Sequence, residues 1–159
     1  MNRPAKAMLI GCGSVSALAA ALVVAFCVSV ISQPESGVKL TNEMDQYALD
    51  YIAEHGMLAP EEEVLAYYDA TLSMDGTEAA IVTDRHVMYH SDGKTFSIPL
   101  AEIQTIRHRR ETLTGDVIEV EGGTGQVMKI EIAPLNGGET FRNVLENART
   151  RAQTQREGG

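Results

Sequence analysis

Apolar and small residues fill positions 7–31, and no charged side chain occurs between residues 7 and 34. As a helix, this stretch would extend about 38 Å against about 30 Å of bilayer hydrocarbon, so the pattern predicts a membrane span over residues 7–32. Arg3 and Lys6 precede it, whereas Glu35, Lys39, Glu43 and Asp45 follow it. That asymmetry keeps residues 1–6 in the cytoplasm and sends the rest across, as in a single-pass protein of the inner (cytoplasmic) membrane. A cleaved signal peptide is the rival reading, with Val30-Ile31-Ser32 as the small-residue cleavage site. The apolar run is longer than the usual 7–15 residues of a signal, and both readings place the remaining chain outside the cytoplasm. Gly13, Ala17, Ala21, Ala25 and Ser29 recur at four-residue spacing, which lets two membrane helices approach and self-associate.

Beyond the span, the pattern changes three times. Residues 33–40, opening with Gln33-Pro34-Glu35-Ser36-Gly37, read as a linker. Residues 41–56 read as an amphipathic helix: Thr41 or Asn42 is positioned to cap it, and Met44, Tyr47, Ala48, Tyr51 and Ile52 share one face, with Gly56 at its end. That face either packs on the domain or docks a protein partner through Met44, Tyr47, Tyr51 and Ile52. After Pro60, short apolar runs alternate with turn residues, predicting strands over 64–72, 77–83, 86–90, 95–99, 103–109, 116–121 and 126–132. Met74-Asp75-Gly76, Ser91-Asp92-Gly93, Thr114-Gly115 and Gly122-Gly123-Thr124-Gly125 supply the tight turns between them. Phe141, Val144, Leu145, Ala148 and Ala152 then form one helical face, leaving residues 153–159 as a flexible tail. The expected fold class is α+β: a seven-stranded antiparallel barrel or sandwich over residues 60–152, capped by a C-terminal helix.

Charge narrows the functions open to this domain. The whole chain carries a net charge of −9, and the part after the span holds 11 basic against 22 acidic side chains. Nucleic-acid binding requires a dominant positive footprint, so none is expected. The only cysteines, Cys12 and Cys27, lie within the apolar stretch, about 22 Å apart along a helix. The domain therefore has no disulfide, thiol nucleophile or cysteine metal site. His86 and His90 are separated by about 13 Å of strand, too far to share an ion. The Glu61-Glu62-Glu63 run lacks the interleaved Asp, Asn and Gly of a calcium loop and reads as a solvated lead into a strand. Gly122-Gly123-Thr124-Gly125 lacks the Lys-Ser/Thr of a phosphate loop, and no hydrolase elbow, zinc-protease helix or dinucleotide fingerprint occurs. No enzyme activity, metal or cofactor is expected.

Arg107-His108-Arg109-Arg110 is the one dense basic cluster in the domain. Strand alternation sends Arg107 and Arg109 to one face and His108 and Arg110 to the other. These residues, with Lys94, are the candidate contact for an anionic lipid, a phosphate or a partner's carboxylates. The alternative is that the arginines balance nearby acids such as Glu102, Glu111 or Glu131.

Several local patterns carry a family resemblance. Ala80-Ile81-Val82-Thr83-Asp84-Arg85-His86-Val87-Met88-Tyr89, then Gly93, then Ile98-Pro99-Leu100-Ala101-Glu102-Ile103, resembles the core pattern of bacterial pleckstrin-homology-like (PH-like) domains. Glu61–Glu63 is similar to that family's usual lead-in, and Gly115, Ile118 and Phe141 fall where its later strands and helix would have them. The resemblance covers about residues 60–150. It implies a non-enzymatic binding or scaffolding module, here tethered to a membrane and engaging another protein. The chain departs from phosphoinositide-binding PH domains at the first hairpin loop, because Ser73-Met74-Asp75-Gly76-Thr77 contains no Lys or Arg. The resemblance therefore brings no headgroup pocket. A small-ligand carrier would need convergent polar groups that the sequence does not show.

Overall fold

Between residues 64 and 91, apolar side chains occupy both parities of the strands, because the sheet they form is covered on both faces. The computed structural model describes residues 37–158. The apolar stretch 7–32, its small-residue stripe and the residues before it lie outside the described part. Within that part, no helix is long and apolar enough to cross a membrane.

Strands β1 (Lys39–Leu40), β2 (Val64–Asp69), β3 (Glu78–Thr83), β4 (His86–Ser91) and β5 (Lys94–Pro99) form one antiparallel sheet in that order. Strands β6 (Ile103–Glu111), β7 (Gly115–Gly122) and β8 (Val127–Ile132) form a second. Helix α1 (Gln46–Glu54) lies between β1 and β2 in sequence, and helix α2 (Gly138–Glu157) follows β8. The class is α+β, as the periodicities predict. Ala66, Tyr68, Ala80 and Val82 point inward and join Ile118, Ile130 and α2's Phe141 and Leu145 in the main core. Full burial of a side chain such as Phe141 contributes about 2–3 kcal/mol. Residues of the other parity, Tyr67, Ala79, Ile81 and Met88, pack beneath Ala48 and Ile52 of α1.

Several expectations need correction. Among the described residues there are eight strands, not seven, because Lys39 and Leu40 pair with Tyr67 and Ala66 in what reads as linker. Two residues are too few to show a period. The helix expected over 41–56 is broken: a 3-10 turn covers Thr41–Glu43, and the extended backbone of Met44 separates it from α1. Thr41 does not cap that helix. Its hydroxyl instead donates to the Val64 carbonyl at 2.7 Å, and Asp45 occupies the N-cap position. The strand expected over 64–72 stops at Asp69, whose carboxylate accepts from the backbone N–H groups of Thr71 and Gly76 and bends the chain away. Strand β6 continues to Glu111. Helix α2 runs through most of the supposed tail to Glu157, held where Gln153 donates to the Ile103 carbonyl at 2.9 Å.

Candidate functional site

The four basic residues of β6 are matched with acids by strand register. On the outer face, Arg107 meets Glu121 at 3.4 Å, while Arg109 meets Glu119 at 2.6 Å and Glu111 at 2.8 Å. Glu119 and Glu121 belong to β7, which lies antiparallel to β6. On the other face, His108 and Arg110 converge on Asp116 at 2.7 and 3.1 Å, and Arg110 also reaches Glu139 at 3.8 Å. Of the acids suggested by sequence, only Glu111 is used, and Glu131 instead pairs with Lys129. Burial alone would raise the Asp116 carboxyl, but hydrogen bonds from His108 and Arg110 outweigh it and hold the group below the usual carboxylate range. Lys94 lies in the other sheet, at the start of β5, and makes no ion pair among the described residues. The cluster is thus matched by five acids, so it leaves no positive patch on β6 to attract an anion. Replacing Arg107 and Arg109 together by Gln should change unfolding free energy by no more than about 1 kcal/mol. It should also leave binding to anionic vesicles, read by co-sedimentation, unchanged.

The face of α1 offered to a partner is occupied by the domain itself. Ile52 is buried, and Met44, Tyr47 and Tyr51 are partly buried against the outer layer of the first sheet. Of the two readings of that face, this geometry supports packing on the domain, because its apolar side chains already have contacts there. Tyr47 donates to Asp69 at 3.2 Å, and burial together with that carboxylate pushes the Tyr47 phenol well above its ordinary value.

Among the described residues β1, β5, β6 and β8 lie at sheet edges, and of those longer than two residues the outer edge of β5 is the one that carries no charge beyond its first residue, Lys94. The Asp92-Gly93 turn makes Ser91 and Lys94 a hydrogen-bonded pair, so pairing alternates through Phe96 and Ile98. The bond from Leu100 N–H to the Arg85 carbonyl, at 2.8 Å, continues the same alternation. Thr95 and Ser97 therefore aim their backbone N–H and C=O groups away from β4. No strand pairs with that edge among the described residues. Phe96 is 41 % exposed there.

A groove of about 270 Å³ runs beside this edge, between Thr95 and Ser97 on one side and His55, Gly56, Met57 and Ala59 on the other. Its inner end holds Glu62, whose side chain is only 1 % exposed. One Glu62 carboxylate oxygen accepts from the Thr83 hydroxyl and from His86 Nδ1 at 2.8 Å, and the other accepts from Ala59 N–H at 3.0 Å. Burial alone would raise the Glu62 carboxyl, but these three donors outweigh it and lower the group below its ordinary value. The solvated reading of this acidic run therefore fails at Glu62, while Glu61 and Glu63 are exposed. His90 lies behind the groove, its Nδ1 at 2.9 Å from the Thr95 hydroxyl and its Nε2 at 3.3 Å from the Tyr51 hydroxyl. Burial, and secondarily the nearby His55, lowers its pKa. The His55 ring stacks on Tyr51 at 3.9 Å between centroids, placing it at the groove's rim.

Sequence reasoning did not single out Thr95, Ser97 or His55, and it read Glu62 only as one of three solvated glutamates. Thr95 and Ser97 belong to a strand that the turn signals do predict, but which strand lacks a neighbour depends on sheet order. Among the described residues, no group of three acids or histidines is placed to hold a metal. The chain matches no family model and no curated protein.

Proposed function

We propose that this chain is a non-enzymatic, membrane-tethered PH-like module that binds an extended segment of a protein partner along β5. The observation that carries the reading is the uncharged, unpaired edge at Thr95-Phe96-Ser97 with a groove beside it. Exposed sheet edges attract other strands, and stable proteins blunt them by shortness or charge. Here β1 is only two residues long, β6 carries the arginine–glutamate ladder and β8 carries Lys129 and Glu131. Neither device protects β5 beyond Lys94. An added strand would gain backbone hydrogen bonds from Thr95 and Ser97, and its alternate side chains would enter the groove. The order of β2–β8 followed by α2 supports the PH-like resemblance. The apolar stretch 7–32 supports a tether that leaves the domain outside the cytoplasm. Anionic lipid is the weaker reading, because the arginines that would carry it are already neutralised.

Proline separates the edge from the fold. Ser97→Pro removes an N–H that points outward, which an edge strand tolerates, so stability should change by no more than about 1 kcal/mol. Proteins that co-purify specifically with the full-length chain from membranes should be lost. Phe96→Pro removes an N–H used in the β4 ladder and should instead lower the melting temperature. Partners retained by Ser97→Pro would rule out strand addition at this edge.

A further inference from the structure

Three leucines stand almost wholly in water: Leu72 at 102 %, Leu113 at 91 % and Leu135 at 102 % exposure. Each is in a loop, between β2 and β3, between β6 and β7, and between β8 and α2 respectively. The bases of these loops meet at one end of the domain, where Ala70, Thr114 and Ala133 line a single depression of about 240 Å³. The last two turns touch directly: a methyl group on Gly115 would lie 2.2 Å from the Ile132 carbonyl oxygen and 2.6 Å from the Pro134 nitrogen.

Leu135 is held there against its backbone preference. Asn136 N–H donates to the Ala133 carbonyl at 3.1 Å, closing a turn with Pro134 and Leu135 at its centre. Leu135 has a φ of 70°. That position favours glycine or asparagine, and a bulky side chain there is strained. A strained leucine that stands fully exposed, at the rim of a cavity lined by Arg110 and Glu139, suggests an apolar contact outside its own domain.

The course of the chain identifies the occupant. Val38 N–H donates to the Asn136 carbonyl at 2.9 Å, so the polypeptide arriving from the apolar stretch joins the domain beside Leu135. Five residues lie between positions 32 and 38, so six Cα–Cα steps join them, at most about 21 Å of extended backbone. Loop residues 70–77, 112–114 and 133–137 contain one charged side chain, Asp75, and no Lys or Arg, while the charged groups near them, Glu78 and Glu131 in the depression and Arg110, Glu111, Asp116 and Glu139 in the cavity beside Leu135, lie at the loop bases. The uncharged loop tips, rather than the charged groups at their bases, suit the interfacial region of a bilayer. We propose that Leu72, Leu113 and Leu135 seat this end of the domain on the lipid surface of the membrane that holds the tether. This inference rests on the membrane-tethered reading.

The chain contains no tryptophan, so Leu72→Trp, Leu113→Trp, Leu135→Trp and, as a control on the exposed side of α2, Arg151→Trp each introduce a sole fluorophore. The full-length variants are reconstituted in phosphatidylcholine vesicles, with and without bromine on the acyl chains. Each loop tryptophan should be blue-shifted and quenched roughly twofold by the brominated lipid, irrespective of salt, whereas the Arg151→Trp signal should not change. Protein that floats with the vesicles while its loop tryptophans are quenched no more than the control overturns the lipid contact, leaves the tether standing and assigns the leucines to a protein partner. Protein that does not float overturns the tether and the contact together.

Discussion

Gly115→Ala should destabilise the domain by about 3–5 kcal/mol, far more than Gly93→Ala. Both glycines have positive φ, 88° and 69°, and an L-residue in the left-handed region costs about 1–2 kcal/mol. They differ in what surrounds them. A methyl group on Gly93 meets nothing within 4 Å, whereas on Gly115 it would lie 2.2 Å from a backbone oxygen. No side-chain rotation relieves that overlap. Either the β6–β7 turn or the end of β8 must shift, and Gly115 pairs opposite Glu111 at the start of the ladder that holds Asp116 in place. Urea unfolding should give the magnitude, and the drop in melting temperature should be roughly 10–25 °C. Equal losses for the two variants would mean that backbone conformation alone matters at Gly115 and that the two turns are not in close contact.

Glu62→Ala should cost about 3 kcal/mol and change the acid limb of the stability profile. The substitution leaves the His86 Nδ1 and the Ala59 N–H without their acceptor and the Thr83 hydroxyl with only the His86 carbonyl at 3.1 Å, and each buried orphan costs about 1–3 kcal/mol before water reaches it. The direction of the pH effect follows from the lowered carboxyl pKa. An unfolded Glu titrates near about 4.3. The folded group titrates lower, so its contribution is complete above about 4.3 and is lost as pH falls through the folded value. Asp116 behaves in the same sense, from a lowered carboxyl of its own. Wild-type stability should therefore decline steeply below about pH 4, and Glu62→Ala should flatten that decline while lowering the plateau above it. A plateau unchanged within error would mean that Glu62 is solvated after all. Chemical denaturation at a series of pH values distinguishes these outcomes. Because Glu62 closes the inner end of the groove, the same variant should also weaken partner capture if side chains enter there.

What the one-dimensional pattern determined about this protein is the class of each long element. Alternation and turn chemistry are local properties, so the Asp92-Gly93 hairpin, the strands on either side of it and the apolar face of α2 were legible to within a few residues. The same holds for the inner parity of β7 and β8, where Ile118, Val120, Ile130 and Ile132 alternate with charged residues. Tertiary structure decided everything that depends on which strands lie side by side. Three consecutive glutamates look alike in sequence, yet only Glu62 is turned inward, because Thr83 and His86 converge on it from 21 and 24 residues away. Four basic residues in a row look like a positive patch, yet register places Glu119, Glu121 and Asp116 beside them and cancels the charge. An edge is likewise not a property of its own residues: β5 is open because the chain leaves it through the Leu100–Glu102 turn to begin a second sheet. Local energies of turns and periodic burial are encoded within a few residues of where they act. Pairing, charge neutralisation and edges come from contacts between distant segments, which close only when the core brings both sheets together.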